Sequence, residues 1–154
     1  MGKHSSCHCV VGLGNPGERY ARTRHNVGFW VADRLAEKYG LAFRRSFCYQ
    51  AQICHQQERA LTIAEPYTYM NRSGVTVRRL CSWWGGYSAE RLLVVVDDIA
   101  LPLGAVRLRA QGSAGGHKGL QSVIEALDSE RFGRVRVGIG ACPKGISVVD
   151  FVLS

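Results

Sequence analysis

Chemically useful side chains are densest in the stretch from Gly12 to Asn26, where Asn15, Arg24, His25 and Asn26 follow directly on an apolar run. A histidine in such a loop can act as a general base on water if a partner fixes which ring nitrogen carries the proton. Asp97, at the end of the run Leu92–Val96, is the carboxylate best placed to be that partner. Each residue alone has a plainer explanation: a histidine at a helix start is a partial cap, and an aspartate after a strand forms a turn. Asn71, in Tyr69-Met70-Asn71, precedes a helical pattern; it is either an N-cap or an amide that binds a carbonyl or an oxyanion. The glycine-rich stretch Gly112 to Gly119 contains His117 and Lys118 and opens another helix, where backbone N–H groups favour an anion such as phosphate. Arg107 with Arg109, and Arg134 with Arg136, alternate along two predicted strands. Each pair therefore shares a face, either as two cations aimed at an anion or as a solvated surface.

One pattern misleads. Gly12, Gly14 and Gly17 spell the dinucleotide fingerprint GxGxxG after a strand, with Asp33 downstream. Pro16 interrupts it, residues 18–24 (ERYARTR) lack an apolar helical face, and Asp33 falls inside a helical pattern instead of at a strand end. A nicotinamide or flavin site is the weakest reading of this loop.

The elements that must hold these groups alternate between strand and helix, the pattern of an α/β domain. Strands are expected over Cys7 to Leu13, near Phe47 to Cys54, Ala60 to Ala64, Leu92 to Val96, Ala105 to Arg109 and Val135 to Ile139. Val27, Trp30, Val31 and Leu35 predict a helix from about His25 to Tyr39, ended by Gly40. Val77, Leu80, Cys81 and Trp84 predict a second, stopped by Gly85 and Gly86. Leu120, Val123, Ile124 and Leu127 predict a third. The fold expected is a single α/β domain over residues 1–154, with a mixed, mostly parallel sheet flanked by helices. In such sheets the site gathers beyond the carboxyl ends of the strands.

The chain has 154 residues, 20 lysines and arginines against 12 acids, and a net charge of +8 with neutral histidines. Its apolar fraction of 46% excludes disorder, and no apolar run approaches the roughly 20 residues of a membrane span. A basic domain of this kind suits an anionic partner, nucleic acid foremost. The six cysteines form no CxxC pair and no export signal precedes them, so reduced thiols in a cytoplasmic or organellar protein are expected. His4, Cys7, His8 and Cys9 read as a terminal tail more readily than as a metal site.

Five blocks, in order and spread over nearly the whole chain, resemble the bacterial-type peptidyl-tRNA hydrolase family: VVGLGNPGERYARTRHNVGF, EPYTYMNRSG, LLVVVDDIALPLG, GSAGGHKGLQSVI and RVRVGIG. The resemblance implies an enzyme that cleaves the ester joining a peptide to the terminal ribose of a tRNA, with no metal or cofactor. It places the catalytic histidine at His25 and the carboxylate that orients it at Asp97. Asn15 and Asn71 become the asparagines that grip substrate, with Tyr20 and Tyr69 beside them. Arg109 and Arg136, with His117 nearby, become the clamp for the tRNA 5′-phosphate.

The sequence departs from the family in two places that matter. The family's GGHNG is GGHKG here, so Lys118 puts a cation where a neutral amide is usual. Lysine cannot accept a hydrogen bond, and an ammonium near His25 would disfavour the protonated ring or else steady an oxyanion. The family also continues past FVL with helical segments, whereas this chain stops at Ser154. The expectation is therefore a domain truncated at its C-terminal helical segment, a monomer that can self-associate through the face so exposed. A catalytically weakened or inactive RNA-binding relative is the alternative reading.

Overall fold

In the computed structural model, residues 8–83 and 88–154 are described. The continuous branched run Leu92–Asp98 forms β5, buried at both faces as a strand without polar alternation must be. It pairs in parallel with β1 (His8–Gly12), with Gly12 beside Val95. Among the described residues the sheet has seven strands. Arg44–Ser46, Ala51–Gln56 and Leu61–Pro66 are β2, β3 and β4; Val106–Arg109 and Gly133–Gly138 are β6 and β7. Their order is β2-β3-β4-β1-β5-β7-β6, and the four inner strands β4, β1, β5 and β7 run parallel. Antiparallel strands flank them on both sides, giving the mixed sheet expected.

The chain leaves β1 toward β4 on one side, while β5 opens the other half. That reversal places a crevice at the carboxyl ends of β1 and β5. Helix α1 (Val27–Lys38) covers one face, with Ala32 and Ala36 against Cys54 and Ile63. Helices α2 (Ser73–Trp83) and α3 (Lys118–Leu127) cover the other, where Val77, Leu80, Leu120 and Val123 pack on Val11, Val94 and Val96. The start of α1 lies backbone to backbone on the sheet. A Cβ at Gly12 would strike the Gly28 carbonyl, and one at Gly28 would strike the carbonyls of Leu13 and Val95.

Several boundaries differ from expectation. Residues 24–26 form a 3-10 turn, and α1 begins only at Val27; Gly40, at φ 63°, follows its end as expected. Residues 47–50 are turn, and β3 starts at Ala51. The three-residue edge strand β2 and a short helix α4 (Val148–Val152) were not foreseen. Apolar residues of the DFVL stretch make α4, which Ser147 caps by accepting the Asp150 N–H at 3.1 Å. Expectations resting on Cys7, Trp84, Gly85 and Gly86 lie outside the described residues. Among the described residues no helix is long and apolar enough to cross a membrane. Cys48, Cys54, Cys81 and Cys142 are free thiols.

A carboxyl pair, Glu65 buried on β4 and Asp33 exposed on α1, joins the two elements. Glu65 alternates with Ile63 onto the face beneath α1 and lies opposite Gln52 of β3. It is 7% exposed, and its Oε1 has no hydrogen-bond partner among the described residues. Burial, then the charge of Asp33 and a hydrogen bond to it, push the Glu65 carboxyl up to about 8. Burial also raises Asp33, partly offset by that bond, and burial together with Glu65 raises the Cys54 thiol to about 11. Glu65 thus holds its proton up to about pH 8. The unfolded chain loses this proton near 4.5 and the folded chain near 8, so stability is expected to fall as pH rises through that window. Glu65→Gln should flatten the slope and add ~1–2 kcal/mol at the upper end. Denaturant unfolding of both proteins across the window checks this; parallel slopes would contradict it.

Candidate active site

Three strand ends converge. β1 runs into the loop holding Asn15 and His25, β4 into the turn holding Tyr69 and Asn71, and β5 ends on Asp97 and Asp98. The long first loop is folded back by its own bonds. Thr23 Oγ1 donates to the Tyr20 carbonyl at 2.8 Å, and Trp30 Nε1 to the Ala21 carbonyl at 2.8 Å. Asn26, 1% exposed, makes a reciprocal pair with the Asn15 backbone: it accepts the Asn15 N–H and donates Nδ2 to the Asn15 carbonyl, each at 2.9 Å. Arg24 donates to the Ser154 carbonyl at 3.0 Å and lies over the Phe151 ring, tying the loop to α4.

His25 is thereby carried to Asp97. Its Nδ1 lies 2.8 Å from Oδ1 and 2.9 Å from Oδ2 of that carboxylate, which is 3% exposed. Burial alone would raise the Asp97 carboxyl. Hydrogen bonds from His117 and His25 outweigh it and hold the group well below the usual carboxylate range. An ionised acid at Nδ1 places the His25 proton there and leaves Nε2 with its lone pair. No described residue partners that Nε2.

His117 is the second imidazole on Asp97, with Nε2 2.9 Å from Oδ1. Its Nδ1 accepts the N–H groups of Gly119 and Leu120 at 3.1 and 3.2 Å, so it caps α3 and is locked as the Nε2–H tautomer. Sequence reading made this histidine an anion donor; here both nitrogens are occupied within the fold. His25, Asp97 and His117 hold ligand atoms within 4.8 Å of one another, close enough for a metal ion. The chemistry of the donors opposes that use. A metal on His117 Nε2 would require a proton on Nδ1, which already accepts two backbone N–H groups.

Around this trio lies a cavity of about 650 Å³. The structure places Asn15, His25, Tyr69, Asn71, Asp97, His117, Lys118 and Arg136 on its wall. Asn15 Oδ1 accepts the Met70 N–H at 2.8 Å, which orients the amide and leaves Nδ2 as a free donor. Asn71 lies in a 3-10 turn before α2 and makes no hydrogen bond to described residues, so it is not the cap. Tyr69 is 58% exposed, and Tyr20 packs edge-on against it at 6.4 Å between centroids, outside the wall.

The arginines separate. Arg109 is exposed on β6, away from the cavity. Arg136 reaches the wall but is held by the Ser113 carbonyl at 3.0 Å and by Asp98 at 3.4 Å. Arg134, on the same face of β7, is fully buried and donates to the carbonyls of Gly112, Ser113, Glu130 and Phe132. It is a fastening and not a surface cation. Sequence reading missed Ile99 and the α4 side chains Val148, Val149 and Val152, which make the apolar wall. The apolar residues near the chain end were the only signal of them.

Comparisons with known proteins identify the family. The peptidyl-tRNA hydrolase family profile matches residues 9–154. The peptidyl-tRNA hydrolase of Chloroflexus aurantiacus is 47% identical over 148 residues, 94% of this chain and 77% of the relative. That of Synechococcus sp. (strain CC9311) is 51% identical over 134 residues, 86% of this chain and 64% of the relative. The crystal structure of peptidyl-tRNA hydrolase from Acinetobacter baumannii superposes with a TM-score of 0.90 at 35% identity, covering 99% of this chain and 79% of that one. Matched by that profile over nearly its whole length, the chain belongs to the peptidyl-tRNA hydrolase family.

Proposed function

We propose that this chain hydrolyses peptidyl-tRNA at the ester between the peptide and the 3′-terminal ribose, with His25 as general base. The observation that carries the reading is the His25–Asp97 pair, whose Nε2, unpartnered among the described residues, sits on a cavity wall shared with the Asn71 amide and the Asn15 Nδ2. Water gives a proton to His25 Nε2 as its oxygen attacks the ester carbonyl. Asp97 steadies the cation that forms. The tetrahedral oxyanion needs donors, which Asn71 and the Asn15 Nδ2 can supply. Collapse expels the ribose hydroxyl, which takes the proton back from Nε2, leaving a free peptide and a tRNA. An ester is activated enough for one such base to suffice.

The rest of the site suits a nucleotide end. Exposed Tyr69, braced by Tyr20, offers a stacking face for the terminal base. Arg109 on the open edge, with Arg136 nearer the cavity, provides positive charge for the acceptor stem and its 5′-phosphate. The protein acts as a monomeric single domain in the cytoplasm or an organelle.

Release of peptide from N-acyl-aminoacyl-tRNA at low salt tests the reading. Cleavage that weakens steeply with added salt is the expected result. Retained tRNA binding with no ester cleavage would replace the hydrolase by an RNA-binding relative of the same fold.

A further inference from the structure

Every charge on the cavity wall except one is matched within the fold. Asp97 takes two imidazoles. Asp98 accepts the Ala100 N–H at 2.8 Å and Arg136 at 3.4 Å. Arg136 gives its other nitrogen to the carbonyls of Ser113 and Ala114. Lys118, the first residue of α3, lines the same cavity, is exposed, and has no hydrogen-bond or ionic partner among the described residues.

The charges sum in an informative way. With neutral histidines, two carboxylates stand against Arg136 and Lys118 on the wall. With a neutral residue at 118 the wall would carry a net negative charge and repel a phosphate group. The start of α3 cannot compensate, because its Gly119 and Leu120 N–H groups are already taken by His117. Anion attraction at this helix start therefore resides in the Lys118 ammonium and not in the glycine-rich backbone. Lys118 also follows directly on His117, whose ring centroid lies 5.0 Å from that of His25. In a nucleotide 3′-ester, one sugar separates the ester from the phosphate on the same ribose.

We propose that Lys118 is a phosphodiester subsite, which takes the phosphate linking the last two nucleotides of the substrate while His25 works on the adjoining ester. The assignment rests on the hydrolase reading above. It makes Lys118 a residue that selects nucleotide esters over simpler ones, and sets it apart from an oxyanion donor, which would serve any ester alike.

Two small substrates separate these roles: an N-acyl-aminoacyl ester of adenosine, and the same ester on the dinucleotide cytidylyl-(3′→5′)-adenosine, which alone carries the phosphodiester. Lys118→Asn should lower the dinucleotide-to-nucleoside ratio of kcat/KM about three- to tenfold, mainly through KM. Lys118→Arg should keep most of that ratio. The salt dependence of dinucleotide KM should flatten in Lys118→Asn, since ionic screening weakens a single charge–charge contact. An unchanged ratio, or an equal fall in kcat on both esters, overturns the subsite. If the parent cleaves neither ester nor peptidyl-tRNA, the hydrolase reading fails, and the contact is read from binding of the uncleavable amide analogue of the dinucleotide. Tighter binding by the parent than by Lys118→Asn keeps the phosphate contact; equal binding overturns it.

Discussion

His25→Ala should lower kcat/KM for N-acyl-aminoacyl-tRNA by about 10²–10⁴-fold, the usual worth of a positioned general base, and should leave tRNA affinity near that of the parent. The loss belongs to kcat because the ring contributes a proton acceptor while the phosphate and base contacts lie elsewhere. His25 Nδ1 is committed to both oxygens of Asp97, so only Nε2 remains to accept from water. Asp97→Asn is a companion test with a different cause. The amide can present a donor to Nδ1, select the other tautomer and put a hydrogen on Nε2, where it blocks proton uptake. Initial rates with saturating and limiting substrate, beside a filter-binding assay with deacylated tRNA, distinguish the effects. A His25→Ala protein with more than a tenth of the parent kcat would rule out this base.

The second large effect concerns stability. Arg134→Ala should destabilise the fold by about 3 kcal/mol, the scale for removing one partner of a buried charged network. The guanidinium has no exposed surface, lies over the Phe132 ring at 4.3 Å, and serves four carbonyls that lose this donor on truncation. Burial and the neighbouring Arg136 make its charge costly, partly offset by Glu130, yet the carbonyl cage retains it. Arg134→Lys should recover only part of the loss, because a single ammonium cannot span the same fan of acceptors. Denaturant unfolding measures this. Arg136 also depends on Ser113 and Ala114, so the damaged loop should carry into the site and raise KM. A loss below about 1 kcal/mol would show that the loop rearranges to reach solvent.

How far these features were legible depends on whether their cause is local. β5 was readable because a buried parallel strand needs an unbroken branched run, and Asp97 was readable because it interrupts one. The three main helices were placed by apolar spacing, and Gly40 marked the end of α1. β2 was missed because three residues led by two arginines carry no strand signal; it exists through pairing with β3. α4 was missed because five residues are too few for a periodicity, and its support is the tertiary contact of Phe151 and Val152 with Val27 and Ile139. The bonding of His117 was not legible for a subtler reason. Its role turns on which nitrogen accepts the α3 N–H groups, and that is a matter of three-dimensional bonding. Arg134 and Arg136 share a face by alternation, but only the loop at Gly112 buries the first and leaves the second at the cavity.

The contact between Gly12 and Gly28 bears on how much sequence change the chemistry can withstand. Where a helix rests on a sheet through side chains, each substitution at the interface changes their separation by the size of a methyl group. Here the start of α1 meets β1 and β5 main chain to main chain, immediately after His25 and beside the strand that ends in Asp97. The spacing between His25 and Asp97 is therefore set by peptide geometry and not by side-chain volume. The core beneath can drift among valine, isoleucine and leucine without detuning the pair, provided those two positions remain without side chains.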